Sequence, residues 1–158
     1  MKSPLTVRNA TVRPNRLTIA LRVFDTDHLS LFQRGYPTLL PRIQAAPAMQ
    51  IAISVVSVEE MLQGRLAQVR RAATGEDRVR AYAWLDKTLT FFRGFRVLPF
   101  DAPAERRYAD LAARRLRIGS QDLKIAAIAL TQGAVLVTRN GRDFGRIAEL
   151  ALEDWTIE

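Results

Sequence analysis

Short apolar runs rich in β-branched residues recur along the chain and predict buried strands. Between them lie longer segments in which apolar residues return every three or four positions, a spacing typical of helices with one buried face. Strands with nearly continuous apolar cores that alternate with helices favour an α/β fold, in which a parallel sheet is covered on both faces. The predicted strands are Leu17–Phe24, Ile51–Val58, Phe95–Leu98 and Ala134–Thr138.

Helical spacing and breaker residues predict four helices that connect these strands. An apolar row marks the second helix, which Gly94 ends, and Pro103 opens the third. Gly133 closes the fourth, which is compact and rich in alanine, isoleucine and leucine. The predicted helices are Glu59–Arg71, Val79–Phe92, Pro103–Arg115 and Asp122–Gln132, and the stretch Leu31–Pro41 is irregular or helical.

The composition is that of an ordinary globular protein, with 158 residues, of which 48% are hydrophobic and 25% charged. We expect a leader over residues 1–16, either flexible or the product of a start codon assigned too early, and a single domain over residues 17–158. Cysteine is absent and His28 is the only histidine, which excludes disulfides, Cys-ligated metals and multi-histidine sites. Any hydrolytic chemistry must therefore rest mainly on carboxylates.

Basic residues outnumber acidic ones by 24 to 16, which gives a formal net charge of +8. Such a surplus favours polyanionic partners, above all nucleic acid. A bias of a GC-rich genome toward arginine explains the surplus equally well, so charge alone does not decide. No apolar run approaches the roughly 20 residues that span a bilayer, and we expect a cytoplasmic protein without a membrane partner.

Acidic and amide side chains stand where the predicted strands end. Asp25 ends the first strand, and Glu60 lies just after the second. Asp122 begins the helix that leads into the last strand, and Asn140 follows that strand. In a parallel sheet, strand ends and helix starts share the edge where ligands bind. Three carboxylates and an amide at this edge indicate a site for a hard divalent cation such as Mg²⁺ or Mn²⁺.

Each acid also has a local explanation, which stays open at this point. Asp25 is a suitable turn residue after a strand. Glu60 stands three residues after Ser57, the spacing of a capping box, and Glu59 competes with it for the site. Asp122 lies at a helix start, where an acid interacts favourably with the helix dipole. These explanations account for each acid separately but not for their common edge.

Four segments together resemble the motifs of PIN-domain ribonucleases, and most closely those of the VapC toxins of bacterial toxin–antitoxin modules. The resemblance covers about residues 21 to 157, and Leu152–Trp155 is similar to the family's terminal strand. Any one motif occurs by chance, but all four in order make a specific pattern. The segments are Val23–Ser30, Ser57–Gly64, Gly119–Ala127, and Leu136–Asn140 followed by Asp143-Phe144.

The resemblance implies a PIN-like three-layer sandwich with a central, mainly parallel sheet, and a metal-dependent endoribonuclease that uses Mg²⁺ or Mn²⁺. Asp25 and Asp122 would be the principal metal ligands, and Glu60 a ligand or a water-orienting base. Asn140, at a position where many PIN domains have a fourth Asp, would be a polar ligand or hold a water molecule.

Three further residues have supporting roles in this assignment. Thr26 and Thr138 would position water or phosphate. Asp143 competes with Asn140 for the fourth polar position, but we expect Asn140 to point into the cleft and Asp143 to face away or cap the next segment. His28 is expected to contact backbone or solvent rather than to act in catalysis.

The resemblance also implies partners. The substrate would be RNA, with tRNA as one candidate, and a small VapB-like antitoxin would block the cleft. A homodimer would form through the helical surface around Val79–Phe92. Arginines near the helical pair are candidates for phosphate contacts, although solvated helix faces account better for most of them. These are Arg65, Arg70, Arg71, Arg78 and Arg80.

Two other functional classes compete with this interpretation. A haloacid-dehalogenase-like phosphatase also begins with a strand and Asp-x-Asp, and would use Asp25 as its nucleophile. Leu29 and the segment Asn140–Asp143 fit that family poorly. The second alternative is a non-catalytic RNA- or protein-binding module with a degenerate site, which Asn140 makes credible.

Overall fold

A five-stranded parallel sheet forms the centre of the molecule. The computed structural model describes residues 20–157, and the predicted leader over residues 1–16 lies outside them. The spatial order of the strands is β3-β2-β1-β4-β5, and every neighbouring pair is parallel. The strands are β1 (Arg22–Phe24), β2 (Ile51–Ser54), β3 (Arg96–Leu98), β4 (Val135–Val137) and β5 (Leu152–Glu153).

Helices connect the strands and cover both faces of the sheet. A 3-10 turn, Ala48–Gln50, leads directly into β2. Between residues 20 and 157, no helix is long and apolar enough to cross a membrane. The helices are α1 (Thr26–Gln33), α2 (Leu39–Ala45), α3 (Val55–Arg71), α4 (Gly75–Phe92), α5 (Ala102–Ala113), α6 (Ser120–Thr131) and α7 (Gly141–Phe144).

The two faces of the sheet bury two separate apolar clusters. Successive side chains of a strand point to opposite faces. Val23 accordingly packs on the α5–α6 side with Leu111 and Ile128, whereas Phe24 packs on the other side with Leu29 and Met61. The predicted α/β fold, a PIN-like three-layer sandwich around a parallel sheet, is thereby confirmed.

The second predicted strand, Ile51–Val58, is too long. The strand ends at Ser54, and α3 begins at Val55. Ser54 has extended backbone angles, and its hydroxyl accepts a hydrogen bond from the backbone N–H of Ser57 at 3.0 Å, so it caps the helix. The β-branched residues after Ser54 suit either structure, and the cap decides in favour of the helix.

The predicted apolar row of α4 consists of Val79, Tyr82, Leu85, Leu89 and Phe92. Three of these residues face outward, whereas Leu85 is partly buried and Phe92 packs in the core. Val79, Tyr82 and Leu89 are 73%, 57% and 47% exposed, whereas Thr88 is fully buried. The predicted boundary also moves, since α4 begins at Gly75 after the cap Thr74. This exposed row is the surface to which the dimer prediction refers.

Candidate active site at the carboxyl edge of the sheet

The site lies where β1 and β4 end side by side. From β1 the sheet continues to β2 and β3 on one side and to β4 and β5 on the other, so this edge is a topological switch point. The backbone N–H of Asp25 donates to the carbonyl oxygen of Val137 at 3.1 Å, which fixes the ends of the two strands together. Crevices at such points are the usual ligand sites of open α/β sheets.

Asp25 is held in place from two sides. Its side chain is buried, Oδ1 accepts the backbone N–H of His28 at 2.8 Å, and Oδ2 accepts the hydroxyl of Thr138 at 2.5 Å. The first bond makes Asp25 the N-cap of α1, so this residue also has a local structural role at the turn between β1 and α1. Each carboxylate oxygen keeps a further lone pair, so capping and ligand binding are compatible.

Glu60 lies in the second turn of α3 and turns toward α1. Its Oε1 accepts the hydroxyl of Thr26 at 2.7 Å. The capping box between Ser57 and Glu60 is absent, because Ser54 caps this helix. Glu59 contacts Gln63 and Gln121 instead. Of the two neighbouring glutamates, Glu60 is therefore the one that reaches the edge.

Asp122 is the electrostatic centre of the site. It lies in the first turn of α6, whose N-cap is Gly119, and no side chain caps this helix. Burial raises the pKa of Asp122, and the negative charges of Glu60, Asp25 and Asp143 raise it further. Three other carboxylates therefore lie close enough to act on Asp122, and the charged groups that act on it are all acidic.

Asn140 and Asp143 are joined to each other at the start of α7. Asn140 Oδ1 accepts the backbone N–H of Asp143 at 3.4 Å, and its Nδ2 donates to Asp143 Oδ2 at 3.1 Å. The cap of this short helix is thus Asn140, not Asp143. Asp143 lies near enough to raise the pKa of Asp122, and the choice between Asn140 and Asp143 for the fourth position stays a prediction. Both residues belong to the same edge.

A model of the PIN domain matches residues 23–150 of the chain. The match runs from β1 through β4 and stops before β5, and it contains every acid named above. The chain belongs to the PIN-domain family. With this assignment the phosphatase alternative is set aside.

A curated relative narrows the type of PIN domain. Ribonuclease VapC1 of Rickettsia felis is 34% identical over 132 residues, which are 81% of this chain and 91% of the relative. A shorter match, 34% over 79 residues, is to the tRNA(fMet)-specific endonuclease VapC of Shigella flexneri, and covers 45% of this chain and 60% of that protein. The PIN domain is therefore of the VapC type, the ribonuclease toxins of toxin–antitoxin systems.

The fold is shared with solved VapC-type structures. The crystal structure of DNA-bound VapBC from Salmonella typhimurium aligns with a TM-score of 0.68 and 25% identity, over 86% of this chain and 98% of the matched chain. The parallel sheet and its helical layers thus agree with an experimentally determined relative.

Two threonines of the PIN domain contact the acids directly. Thr26 and Thr138 donate their hydroxyls to Glu60 and Asp25, and their positioning of water or phosphate stays a prediction. Thr138 Oγ1 also accepts the backbone N–H of Asn140 at 2.9 Å. The threonines therefore orient the acids.

His28 lies behind Asp25 and is fully buried. Its Nε2 accepts the backbone N–H of Trp155 at 3.3 Å, as expected for a histidine that contacts backbone. Its Nδ1 is 3.4 Å from Asp25 Oδ1 and has no hydrogen-bond partner. Its ring supports the wall of the site and is not presented to a ligand.

The side-chain oxygens at this edge are of the chemical type that a hard divalent cation prefers, because Mg²⁺ and Mn²⁺ bind carboxylate and amide oxygens. The negative charges of Glu60, Asp25 and Asp143 also disfavour the charged form of Asp122, a repulsion that a cation would relieve. Within the described residues, however, no three His, Cys, Asp or Glu side chains converge into a ready-made metal site. Neighbouring threonine and asparagine side chains hold the acids individually.

Proposed function

We propose that this PIN domain is a metal-dependent endoribonuclease that hydrolyses RNA phosphodiesters with Mg²⁺ or Mn²⁺, held by Asp25, Asp122 and Glu60. The observation that carries the proposal is the placement of Asp25, Glu60 and Asp143 near Asp122, whose pKa their negative charges raise. The VapC-type membership supplies the reaction class, and the net charge of +8 suits an RNA substrate in the cytoplasm.

A bound cation would polarise the scissile phosphate, offset its developing charge and lower the pKa of an attacking water. The chain's own residues provide the geometry. Thr138 fixes the rotamer of Asp25 through its bond to Oδ2, which leaves a lone pair on each oxygen for the ligand. Asp122, half-buried at the start of α6, supplies the second principal carboxylate.

Glu60 is proposed to orient the attacking water and accept its proton, or to complete the ligand set. The hydroxyl of Thr26 occupies Oε1, so Oε2 is the oxygen available for this task. Asn140 is proposed to hold a water molecule or ligand at the fourth position, next to Asp143. No covalent enzyme intermediate is required.

The test uses a circular RNA, because a molecule without ends is opened only by internal cleavage. Purified protein, freed of any bound partner, is incubated with the circle, with total RNA and with tRNA, in Mg²⁺ or Mn²⁺ and again with chelator. We expect linear products that chelator prevents and that Asp25→Asn abolishes. Tight RNA binding without cleavage in either metal would instead support the non-catalytic module.

We further propose a VapB-like antitoxin as protein partner, and a homodimer through the exposed row of α4. The first rests on the VapC-type membership and on the existence of a solved VapBC relative. The second rests on the exposure of Val79, Tyr82 and Leu89. A small reading frame directly upstream, whose product copurifies and inhibits cleavage, would support the first. Light scattering of the wild type and of Val79→Asp tests the second.

A further inference from the structure

A small cleft adjoins the acids on the side of α1 and α3. Its volume is about 230 Å³, and Thr26 and Glu60 form one end of it. The other end is basic, and consists of Arg34 and Arg65. The cleft therefore runs from the proposed cleavage site to a pair of guanidinium groups.

Arg65, in α3, is fixed by contacts to two other helices. Its Nε donates to the hydroxyl of Thr88 in α4 at 2.9 Å, and its Nη2 donates to Oε1 of Gln33 in α1 at 2.9 Å. The guanidinium carbon lies 4.9 Å from the centre of the Trp84 ring, within the range of a cation–π contact. Thr88 is itself fully buried, and donates to the carbonyl oxygen of Trp84. The guanidinium plane is thus set before any ligand binds.

No acid neutralises this arginine pair. Arg65 contacts only neutral acceptors, the third being the exposed Oε1 of Gln68 at 3.3 Å from Nη1. Neither Arg34 nor Arg65 takes part in an ion pair within residues 20–157. The pKa of Arg65 is lowered by burial and by the nearby charge of Arg34, so an anion between them would relieve a repulsion. Three of its N–H groups have acceptors, and a guanidinium has five.

We infer that Arg34 and Arg65 form a subsite for a backbone phosphate of the RNA, one that flanks the phosphate to be cleaved. The inference rests on the proposed ribonuclease function. The planar guanidinium fork of Arg65 matches two phosphate oxygens, and the exposed Arg34 supplies a second positive charge to the same group. The subsite sets which nucleotide lies over the acids.

Gly64 keeps the cleft open. A Cβ atom at this helical position would meet nothing within 4 Å, so the space above it is empty. A larger side chain would fill the subsite without removing a charge. Gly64 therefore offers a second way to close the subsite, independent of the arginines.

The test measures binding to short single-stranded RNAs that each carry one uncharged methylphosphonate linkage at a different position. Asp25→Asn protein is used so that no RNA is cut. Loss of a charge-assisted contact weakens binding about 10-fold or more. We expect such a loss at one flanking linkage, and no such loss at that linkage in the Arg34→Gln/Arg65→Gln variant. An Arg106→Gln/Arg107→Gln variant, with the same charge change on α5, serves as matched control and should keep the loss.

Gly64→Leu should also remove the sensitivity at that linkage, whereas Gly64→Ala, which adds only a Cβ, should preserve it. The thermal melting of every variant is measured beside the binding. RNA binding with an unchanged linkage profile in Arg34→Gln/Arg65→Gln and in Gly64→Leu would overturn the subsite alone. If the Asp25→Asn protein and all the variants made in it fail to bind RNA, the proposed function is overturned, and the subsite with it.

Discussion

Asp25 performs two tasks at once, and this is the main lesson at the scale of single residues. It caps α1 through the backbone N–H of His28 and presents its other oxygen to Thr138. Asparagine is also a good N-cap residue, so an Asp25→Asn change removes the charge but keeps the cap. Charge and fold can therefore be separated at this position.

Asp25→Asn and Asp122→Asn should each abolish cleavage while the protein stays folded. Burial and neighbouring acids raise the pKa of Asp122, so its charged form is disfavoured in the folded state. As pH rises from the unfolded-state pKa to the folded-state pKa, the wild type loses stability that Asp122→Asn does not lose. Metal-free thermal melting should therefore favour Asp122→Asn at neutral pH, and the difference should vanish in acid. Unfolding of both variants would contradict this account.

Asn140→Asp should restore a fourth carboxylate. It would replace the Nδ2 donor, now 3.1 Å from Asp143 Oδ2, by a negative charge, so the metal-free melting temperature should fall. Because a cation then offsets more repulsion, the rise in melting temperature with Mn²⁺ should exceed that of the wild type.

Asn140→Ala should lower cleavage more than Asp143→Ala does. Asp143 also acts on the pKa of Asp122, so its loss can change stability as well as cleavage. Melting curves must therefore show that the Asn140→Ala and Asp143→Ala proteins are both folded before their cleavage rates are compared. If Asp143→Ala is the more damaging of the two, Asp143 and not Asn140 takes the fourth position.

At the scale of elements, helix starts were harder to predict than strands. The run Ile51–Val58 is rich in β-branched residues, and a short apolar run cannot be assigned to strand or helix by periodicity alone. The Ser54 hydroxyl settles the boundary, because it satisfies the N–H of Ser57 and ends the strand. Correct placement of Glu60 depends on this boundary, since it lies in the second turn of the helix that starts there.

The order of elements was enough to bring Asp25, Glu60 and Asp122 to one edge, because strand ends and helix starts coincide in any parallel sheet. The partners of these acids were not predictable. Thr138 lies 113 residues from Asp25, and Thr88 lies 23 residues from Arg65. The polar Thr88 lies on the buried face of α4. The spacing of Val79 and Tyr82 predicted that their own face would be the buried one, but both residues are exposed.

Ser54→Ala should destabilise the protein by about 1 kcal/mol, the usual cost of a lost N-cap hydroxyl. Ser120→Ala is the matched control, because Ser120 is exposed at the start of α6 and a surface change there costs within about 0.5 kcal/mol. Urea unfolding of the two variants measures the difference. Equal midpoints would show that the Ser54 hydroxyl does not hold the β2–α3 junction.

At the scale of the whole molecule, a chain with a net charge of +8 carries an acidic centre. Under the proposed function, the surplus would attract RNA from a distance, whereas the acids would repel it at the point of reaction unless a cation were present. Attraction by the arginines would then be separate from chemistry by the carboxylates.

Binding of RNA to the Asp25→Asn protein should weaken linearly on a log–log plot against salt. Arg70 and Arg71 are exposed or partly exposed at the end of α3, and their joint neutralisation should flatten the slope by about 1.4 if each contacts one phosphate of a single strand. A filter-binding titration at several salt concentrations measures it. An unchanged slope would assign both arginines to solvent.

The position of β1 at the centre of the sheet has a consequence for synthesis. Its neighbour β4 is nearly the last strand made, and Thr138 follows Asp25 only after 113 further residues. A nascent chain that ends before α6 contains Asp25 and Glu60 but lacks Asp122, Thr138 and the strand that positions them. Non-local parallel pairing also forms late in folding. Interrupted translation thus leaves a fragment without an assembled cleft. The complete cleft forms only when the polypeptide is nearly finished.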